Sequence, residues 1–301
     1  MELKDKYFKL LDNGFVALKD VMGDDFSIVQ AARVSYGKGT KAISDDRTLI
    51  RYLVRQKHTT PLEMVVFKFH ISMPIHCHRQ FIRHRMSTTN EYSARYSEVP
   101  EIIYDDYTLN LQSKNNKQGR SENVLDETNE YEMKSSIRDN EESAFRIYRE
   151  LVDKGVAREI ARMHLPLNTY TYFYWKIDLH NLFHFLKLRC DSHAQEEIRT
   201  YANCLAGIIK EVCPIAFEAW YDYSFTASNW TRLDKEFNNW LQSNDSIFTE
   251  NEEVVQQKIK EIGMSKREFD EFWQKLKVPE YKDFNLSKFE IIETPQDKQD
   301  V

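Results

Sequence analysis

Residues 64–72, MVVFKFHIS, set Val65, Phe67, Phe69 and Ile71 against Val66, Lys68, His70 and Ser72, the period-two alternation of a strand with one apolar face. A second run, TYTYFYWKI at 169–177, is aromatic and β-branched and predicts another strand. Most other apolar residues recur at helical spacing. The chain is therefore expected to be α+β, with mixed helices around a small antiparallel sheet.

The punctuation of the helices is specific. DDRTLIRYLVRQKH begins at Asp45 or Asp46 as N-cap, carries Leu49, Leu53 and Val54 at helical spacing, and is expected to stop before His58-Thr-Thr-Pro61, because proline disfavours helix in the residue before it. Pro74 can open IHCHRQFIRHR, since proline is tolerated at the first helical position. Residues 110–128 are polar and read as a mobile loop. A long helix follows over 129–154 with Gly155 as its stop, then a shorter one in VAREIARMHLP ending at Pro166. Asp178 caps DLHNLFHFLKLR, and Ser192 to Gln195 has capping-box spacing before a long helix to Cys213-Pro214.

Of the formal net charge of -6, the segment 231–301 carries most, with 16 acidic and 11 basic residues. It also holds three apolar clusters, Phe237/Trp240, Val254/Val255/Ile259/Ile262 and Phe269/Phe272/Trp273/Leu276. Two or three helices are expected there, packed on the main body or on a partner. The division is thus a body over 1–230 and an acidic helical extension of unknown role over 231–301.

Glycine is scarce, eight in all, and none forms a GxGxxG or GxxxxGK[ST] loop. Any nucleotide must be held by side chains. Cys77, Cys190, Cys204 and Cys213 form no CxxC pair and suit a reducing compartment. No apolar run approaches the roughly 20 residues that span a bilayer, and the first residues lack a signal-peptide core. A cytoplasmic protein without membrane contact is expected.

The chemistry concentrates in RHRMSTTNEYSARYSEVP, residues 83–100. Arg83, Arg85 and Arg95, joined by Arg162 and Arg189, offer guanidinium forks suited to phosphate oxygens or a base edge. Ser93 and the backbone N–H groups near it could complete an anion nest. Taken singly, an arginine is more often solvated or salt-bridged; five in otherwise apolar segments shift the balance. His70, His76, Cys77, His78 and His84 lack metal-ligand spacing, so no metal is expected. No nucleophile signature is present, which leaves difficult chemistry to a cofactor. A rival reading makes Arg83, Arg85 and Arg95 with Tyr92 and Tyr96 a single-stranded nucleic-acid platform. The nearly neutral body opposes it, and no nucleic-acid partner is expected.

Arg83-His84-Arg85, seven residues and then Ser93 resemble the RHR(x)7S signature of the flavin-dependent thymidylate synthases. The similarity continues in the family's order through AARVSYG, HTTPLE, RQFIRHRMSTTNEYSARYS, ARMHLPLNTYTYFYWKIDLHNLFHFLKLR and DSHAQEEIRTYA, within residues 25–225. Several blocks in order are far more specific than one motif. The resemblance implies that family's fold and the reductive methylation of dUMP to dTMP. It implies 5,10-methylenetetrahydrofolate as carbon donor, FAD as redox cofactor and NADPH as electron source, with tetrahydrofolate released. It further implies a homotetramer whose active sites are shared between subunits.

Carried over by position, Gln80, Phe81, Ile82, Arg83, Glu91, Tyr92, Ser93, Ala94, Arg95, Arg162 and Arg189 resemble the dUMP contacts. Arg189 matches the family residue credited with favouring ionised N3 of the uracil, the expected catalytic role. The positions similar to the FAD contacts are Ser35, His58, Thr60, Arg83, His84, Arg85, Asn90, Glu91, Asp178, His180 and His184. Asp178-Leu179-His180 stands where many members have Asn-x-Arg, His184 where Asn is frequent, and Ala94 where glycine is common. An aspartate beside a diphosphate would repel it unless hydrogen-bonded to a donor.

Overall fold

The structure, a computed structural model, describes residues 2–35, 45–114, 119–244 and 252–294. It falls into two compact units: one of residues 1–220 and 284–301, the other of 221–283. The larger unit opens with a hairpin of β1 (Tyr7–Leu10) and β2 (Gly14–Met22), then α1 (Asp25–Arg33), α2 (Asp46–Arg55), α3 (Thr60–Glu63) and β3 (Val66–Pro74). Next come α4 (Ile75–Phe81), the short strand β4 (Thr88–Glu91), a second hairpin β5 (Asn110–Gln112) and β6 (Arg120–Val124), and α5 (Glu127–Asp153). It continues with α6 (Arg158–Ala161), β7 (Tyr170–Asp178), α7 (Leu179–Arg189), α8 (Glu196–Val212) and α9 (Pro214–Trp220). After the smaller unit, β8 (Ile291–Ile292) returns to the first sheet.

Six strands form one antiparallel sheet in the order β4-β7-β3-β2-β1-β8. Its centre is the β3–β7 ladder, in register from Val66 opposite Asp178 to Pro74 opposite Tyr170. Phe69 and Trp175 face each other on one side of the ladder, and that side packs against Phe81 of α4 and Phe185 of α7. Phe81 lies 4.5 Å from Trp175 and 4.7 Å from Phe185 between ring centroids. Edge-to-face and tilted pairs of this kind add specificity to the apolar burial.

The second face of β3 is less polar in effect than its sequence suggests. His70 and Ser72 are buried, although Lys68 is exposed. His70 stacks on Tyr174 at 4.8 Å and meets Phe15 of β2 at 5.1 Å, so an aromatic layer covers what the alternation leaves open.

Several sequence expectations change. Residues 110–124 contain the β5–β6 hairpin instead of only loop, Arg120 donating to buried Glu197 at 2.6 Å; residues 115–118 of that expected loop lie outside the described residues. Helix α2 does stop before His58, at Arg55, but Lys57 takes a positive φ of 58°, so the turn precedes the proline's influence. Pro61 instead enters the first turn of α3. Ser192 does not cap α8: its N-cap is Gln195, without a side-chain capping bond. Asp45 and Asp178 do cap α2 and α7, and Gly155 follows α5 with φ 77°.

The smaller unit contains α10 (Arg232–Ser243), α11 (Glu252–Ile262) and α12 (Lys266–Lys275). Its apolar stripes pack on one another: Phe237, Val255, Ile259, Met264 and Phe272 form its core. Buried Asp234 completes a capping box with Thr231 and accepts from Lys275 Nζ at 2.6 Å. The compact units divide at 220/221, and residues 284–294 belong with the larger unit.

Gly14 shows how tightly the sheet is sealed. The buried Tyr201 hydroxyl of α8 donates to Ser72 O at 2.7 Å, and a Cβ on Gly14 would collide with that hydroxyl and sit 2.8 Å from Leu10 O. Overpacking of this kind costs about 1–3 kcal/mol. Gly14→Ala is expected to lower unfolding free energy by that amount in urea titration, with part regained in Gly14→Ala/Tyr201→Phe. An unchanged midpoint for the single variant would contradict the close approach.

Candidate active site

The polar stretch after α4 is positioned by what surrounds it. Phe81 is fully buried in the aromatic core, so the helix end is fixed and the chain emerges at Ile82, whose N–H donates to His78 O at 3.0 Å. Beyond the RHR segment β4 pairs with the outer side of β7, from Thr88 opposite Lys176 to Glu91 opposite Phe173. Part of this polar stretch is thus an edge strand. Between these anchors, Arg83, His84 and Arg85 face the last turns of α7.

Together they make a cleft of about 590 Å³ lined by Arg83, His84, Arg85, Met86, Asn181, His184 and Arg189 together with Ile177 and Leu188. Arg189 Nε donates to His84 Nε2 at 3.0 Å and Arg189 Nη2 to Gln80 O at 3.4 Å. Gln80 is itself held by its side-chain amide bond to Gln195. Since His84 Nε2 accepts, the neutral ring carries its proton on Nδ1. Burial, then the charge of Arg189 and the nearby His184, push the His84 imidazole down to about 4. Burial also holds Arg189 below its ordinary value. The cleft therefore presents fixed positive charge beside a neutral ring, with apolar walls: a setting for a planar, electron-rich or anionic ligand.

The other expected contacts are distributed elsewhere. Arg95 pairs with Glu159 at 2.9 Å and lines a separate cleft of about 480 Å³ with Tyr96, Gly155 and Arg158. The Arg95 amide turns to Ser93 Oγ at 3.4 Å, and Ser93 O accepts from Tyr96 and Ser97, which makes residues 93–97 a closed turn that includes half-buried Ala94. Tyr92 N donates to Tyr172 O at 2.8 Å and its hydroxyl to Glu98 O at 2.7 Å. Glu91 accepts from Thr171 Oγ1 at 2.8 Å, while Asn90 is exposed on β4. Arg162 is exposed at the start of a 3-10 turn.

Asp178 is committed to its helix: its carboxylate accepts from Asn181 N at 2.9 Å and Asn181 Nδ2 at 2.7 Å. The α7 N-terminus is consequently capped from within. His180 is half-buried in the first turn of α7, and His58 is exposed with its ring edge-on to Tyr52 at 5.7 Å. Thr60 opens α3 and exposed Ser35 follows α1. None of these four lines the Arg189 cleft among the described residues. Phe81, wholly enclosed, can offer a ligand only its backbone.

Some neighbours went unread in the sequence. Gln195 looks like a cap, Ile177 and Leu188 like core, and Glu159 like a solvated charge; only the fold brings them to these groups. All four cysteines are buried and unbridged by disulfides, and burial raises the Cys77, Cys204 and Cys213 thiols, the reverse of nucleophile activation. Among the described residues no group of three or more His, Cys, Asp or Glu is arranged for a metal ion, and no helix is long and apolar enough to cross a membrane.

Comparison with known proteins bears on the family of the chain. The family model for "Thymidylate synthase complementing protein" matches residues 17–215. A flavin-dependent thymidylate synthase of Thermus thermophilus is 54% identical over 214 residues, covering 71% of this chain and 78% of that protein. One from Treponema denticola is 44% identical over 276 residues, covering 91% and 98%. Similarity to relatives therefore reaches past the family core into the C-terminal extension. The solved UMP/dUMP methylase PolB from Streptomyces cacaoi, bound with 5-Br dUMP, superposes with a TM-score of 0.63 at 31% identity, covering 72% of this chain and 98% of that one. With the RHR segment, Ser93 and Arg189 inside the matched span, the chain belongs to the flavin-dependent thymidylate synthase family.

Proposed function

We infer that this enzyme reductively methylates dUMP to dTMP, taking carbon from 5,10-methylenetetrahydrofolate and electrons from NADPH through FAD, and releasing tetrahydrofolate. The observation that carries the reading is the convergence of Arg83, His84, Arg85 and Arg189 on one cleft. The four reduced, buried cysteines support a cytoplasmic setting. The extension is assigned no part in the chemistry.

The residues present fit a flavin. Apolar Met86, Ile177 and Leu188 suit a planar ring, and Arg83 and Arg85 suit its anionic arm, which side chains must hold because Asp178 occupies the α7 N-terminus. When bound, the flavin supplies hydride chemistry that no protein side chain provides. Asn90, Glu91, His58, Thr60, Ser35, His180 and His184 are assigned to the same cofactor by family position.

For dUMP, Arg189 is the central group. His84 and Gln80 hold its Nε and one Nη2 hydrogen, fixing the guanidinium plane while Nη1 stays free of protein partners among the described residues. A fixed, half-buried guanidinium lowers the cost of negative charge on the uracil ring, which makes C5 more electron-rich. Arg95, Arg162 and Ser93 are assigned to the phosphate end. That Arg95 and Arg189 line different clefts of one chain supports a homotetramer in which neighbouring subunits complete each site.

Four outcomes test the reading. Purified protein is expected to show a flavin absorption spectrum, or to take up added FAD, to bleach with NADPH, and to release tritium from [5-3H]dUMP. A colourless protein that takes up no FAD overturns it. Arg189→Ala is expected to cut turnover by roughly 10²-fold with flavin retained, as for loss of a transition-state donor. Mixed oligomers of Arg189→Ala with Arg162→Ala are expected to regain activity if the two residues serve one site from different subunits; verified mixed oligomers without recovery contradict that split.

The fourth outcome concerns pH. The unfolded chain takes up a proton on His84 near the ordinary 6.5, the folded chain only near about 4, so between these values the unfolded state binds more protons and this group makes stability fall toward acid. By NMR the His84 ring is expected to stay neutral until about pH 4. A midpoint at or above 6.5 would remove the acceptor role toward Arg189.

A further inference from the structure

Glu91 ends the edge strand β4, and its carboxylate is seated by two buried groups from different elements. Thr171 of β7 is 6% exposed and donates its hydroxyl to Glu91 Oε1 at 2.8 Å. His78 of α4 is 5% exposed, and its Nδ1 stands 3.4 Å from the same oxygen. The His78 ring packs on Phe173 with centroids 4.5 Å apart, and Phe173 is the residue opposite Glu91 in the ladder. Its Nε2 is buried with no hydrogen-bond partner. Burial keeps the His78 imidazole below its ordinary value although Glu91 pulls the other way, so the ring meets the carboxylate as a neutral neighbour.

Two buried polar groups directed at one oxygen of a half-exposed glutamate are costly to assemble, because each must be desolvated. The arrangement leaves Glu91 Oε2 without a protein partner among the described residues. A carboxylate only accepts hydrogen bonds and repels phosphate. Whatever meets Oε2 must therefore donate an O–H or N–H.

We propose that Thr171 and His78 are positioning residues that fix Glu91 so that its second carboxylate oxygen accepts from a hydroxyl of the bound pyrimidine nucleotide. This rests on the reading of the site as a dUMP site. Glu91 touches the ligand, whereas Thr171 and His78 act only through it. Thr171→Val preserves shape and β-branching but removes the donor, and Thr171→Ser restores the donor without the methyl group.

The test is calorimetric dUMP binding and steady-state kinetics on the full-length, flavin-loaded protein. Thr171→Val is expected to weaken dUMP binding and raise KM about tenfold, near the low end for loss of a hydrogen bond to a charged group. The kcat should be nearly unchanged, with most of the loss regained in Thr171→Ser. In a Glu91→Gln background the Thr171→Val change is expected to cost little more, since its effect passes through Glu91. His78→Asn is expected to bind dUMP better than His78→Ala, and this pair replaces Thr171→Val if that variant does not fold. Wild-type affinity in Thr171→Val, or full additivity with Glu91→Gln, overturns the positioning role and leaves the dUMP reading standing. A wild-type protein that binds neither flavin nor dUMP overturns both.

Discussion

The β3–β7 ladder is the constraint on which the site depends. Its aromatic side, closed by Phe81 and Phe185, binds the end of α4 and the middle of α7 to one surface. The loop carrying Arg83 to Arg85 leaves α4 immediately after Phe81, and Arg189 closes α7 one turn beyond Phe185. The spacing between these cations is therefore set by core packing. Close-packed interiors transmit displacement, so a change of volume at Phe81 reaches the cleft as well as the core.

Electrostatics then divides the labour among these side chains. Collecting guanidinium groups in an apolar cleft would be unfavourable if every nearby base were also charged. The neutral His84 ring resolves this by accepting from Arg189, so that the arginine is oriented without being neutralised. Arg95, in its own cleft, is instead balanced by Glu159. One cation is left available and the other carries a counterion that a phosphate would have to replace.

The sequence conveyed the central strands, the caps at Asp45 and Asp178 and the Gly155 stop, because each has a local cause. It concealed β2, whose residues 14–18 are buried on both faces and so lack alternation, although Asn13-Gly14 between two apolar runs is a hairpin signal. It concealed β4, exposed throughout and extended only because β7 offers a partner, and the β5–β6 hairpin, largely polar and held in part by Arg120 on Glu197. The residue types of the site were legible as a dense run of Arg, His, Asn and Glu. Which groups support them was not: Thr171 looks like any strand threonine, and His78 reads as a structural histidine until the sheet brings both to Glu91.

The short strand β8 gives the smaller unit a particular topology. Because residues 284–294 return to the sheet, the helices of 221–283 are an insertion between two parts of one unit. Both ends of the insertion are tied, and β8 covers β1, the flank of the sheet opposite β4. Shortening the chain from its C-terminus would thus bare the backbone of β1 as a template for another chain, whereas excising the inserted helices and rejoining their ends would leave that flank covered. The acidic helices and the protection of the sheet are separable properties, though both lie beyond residue 220.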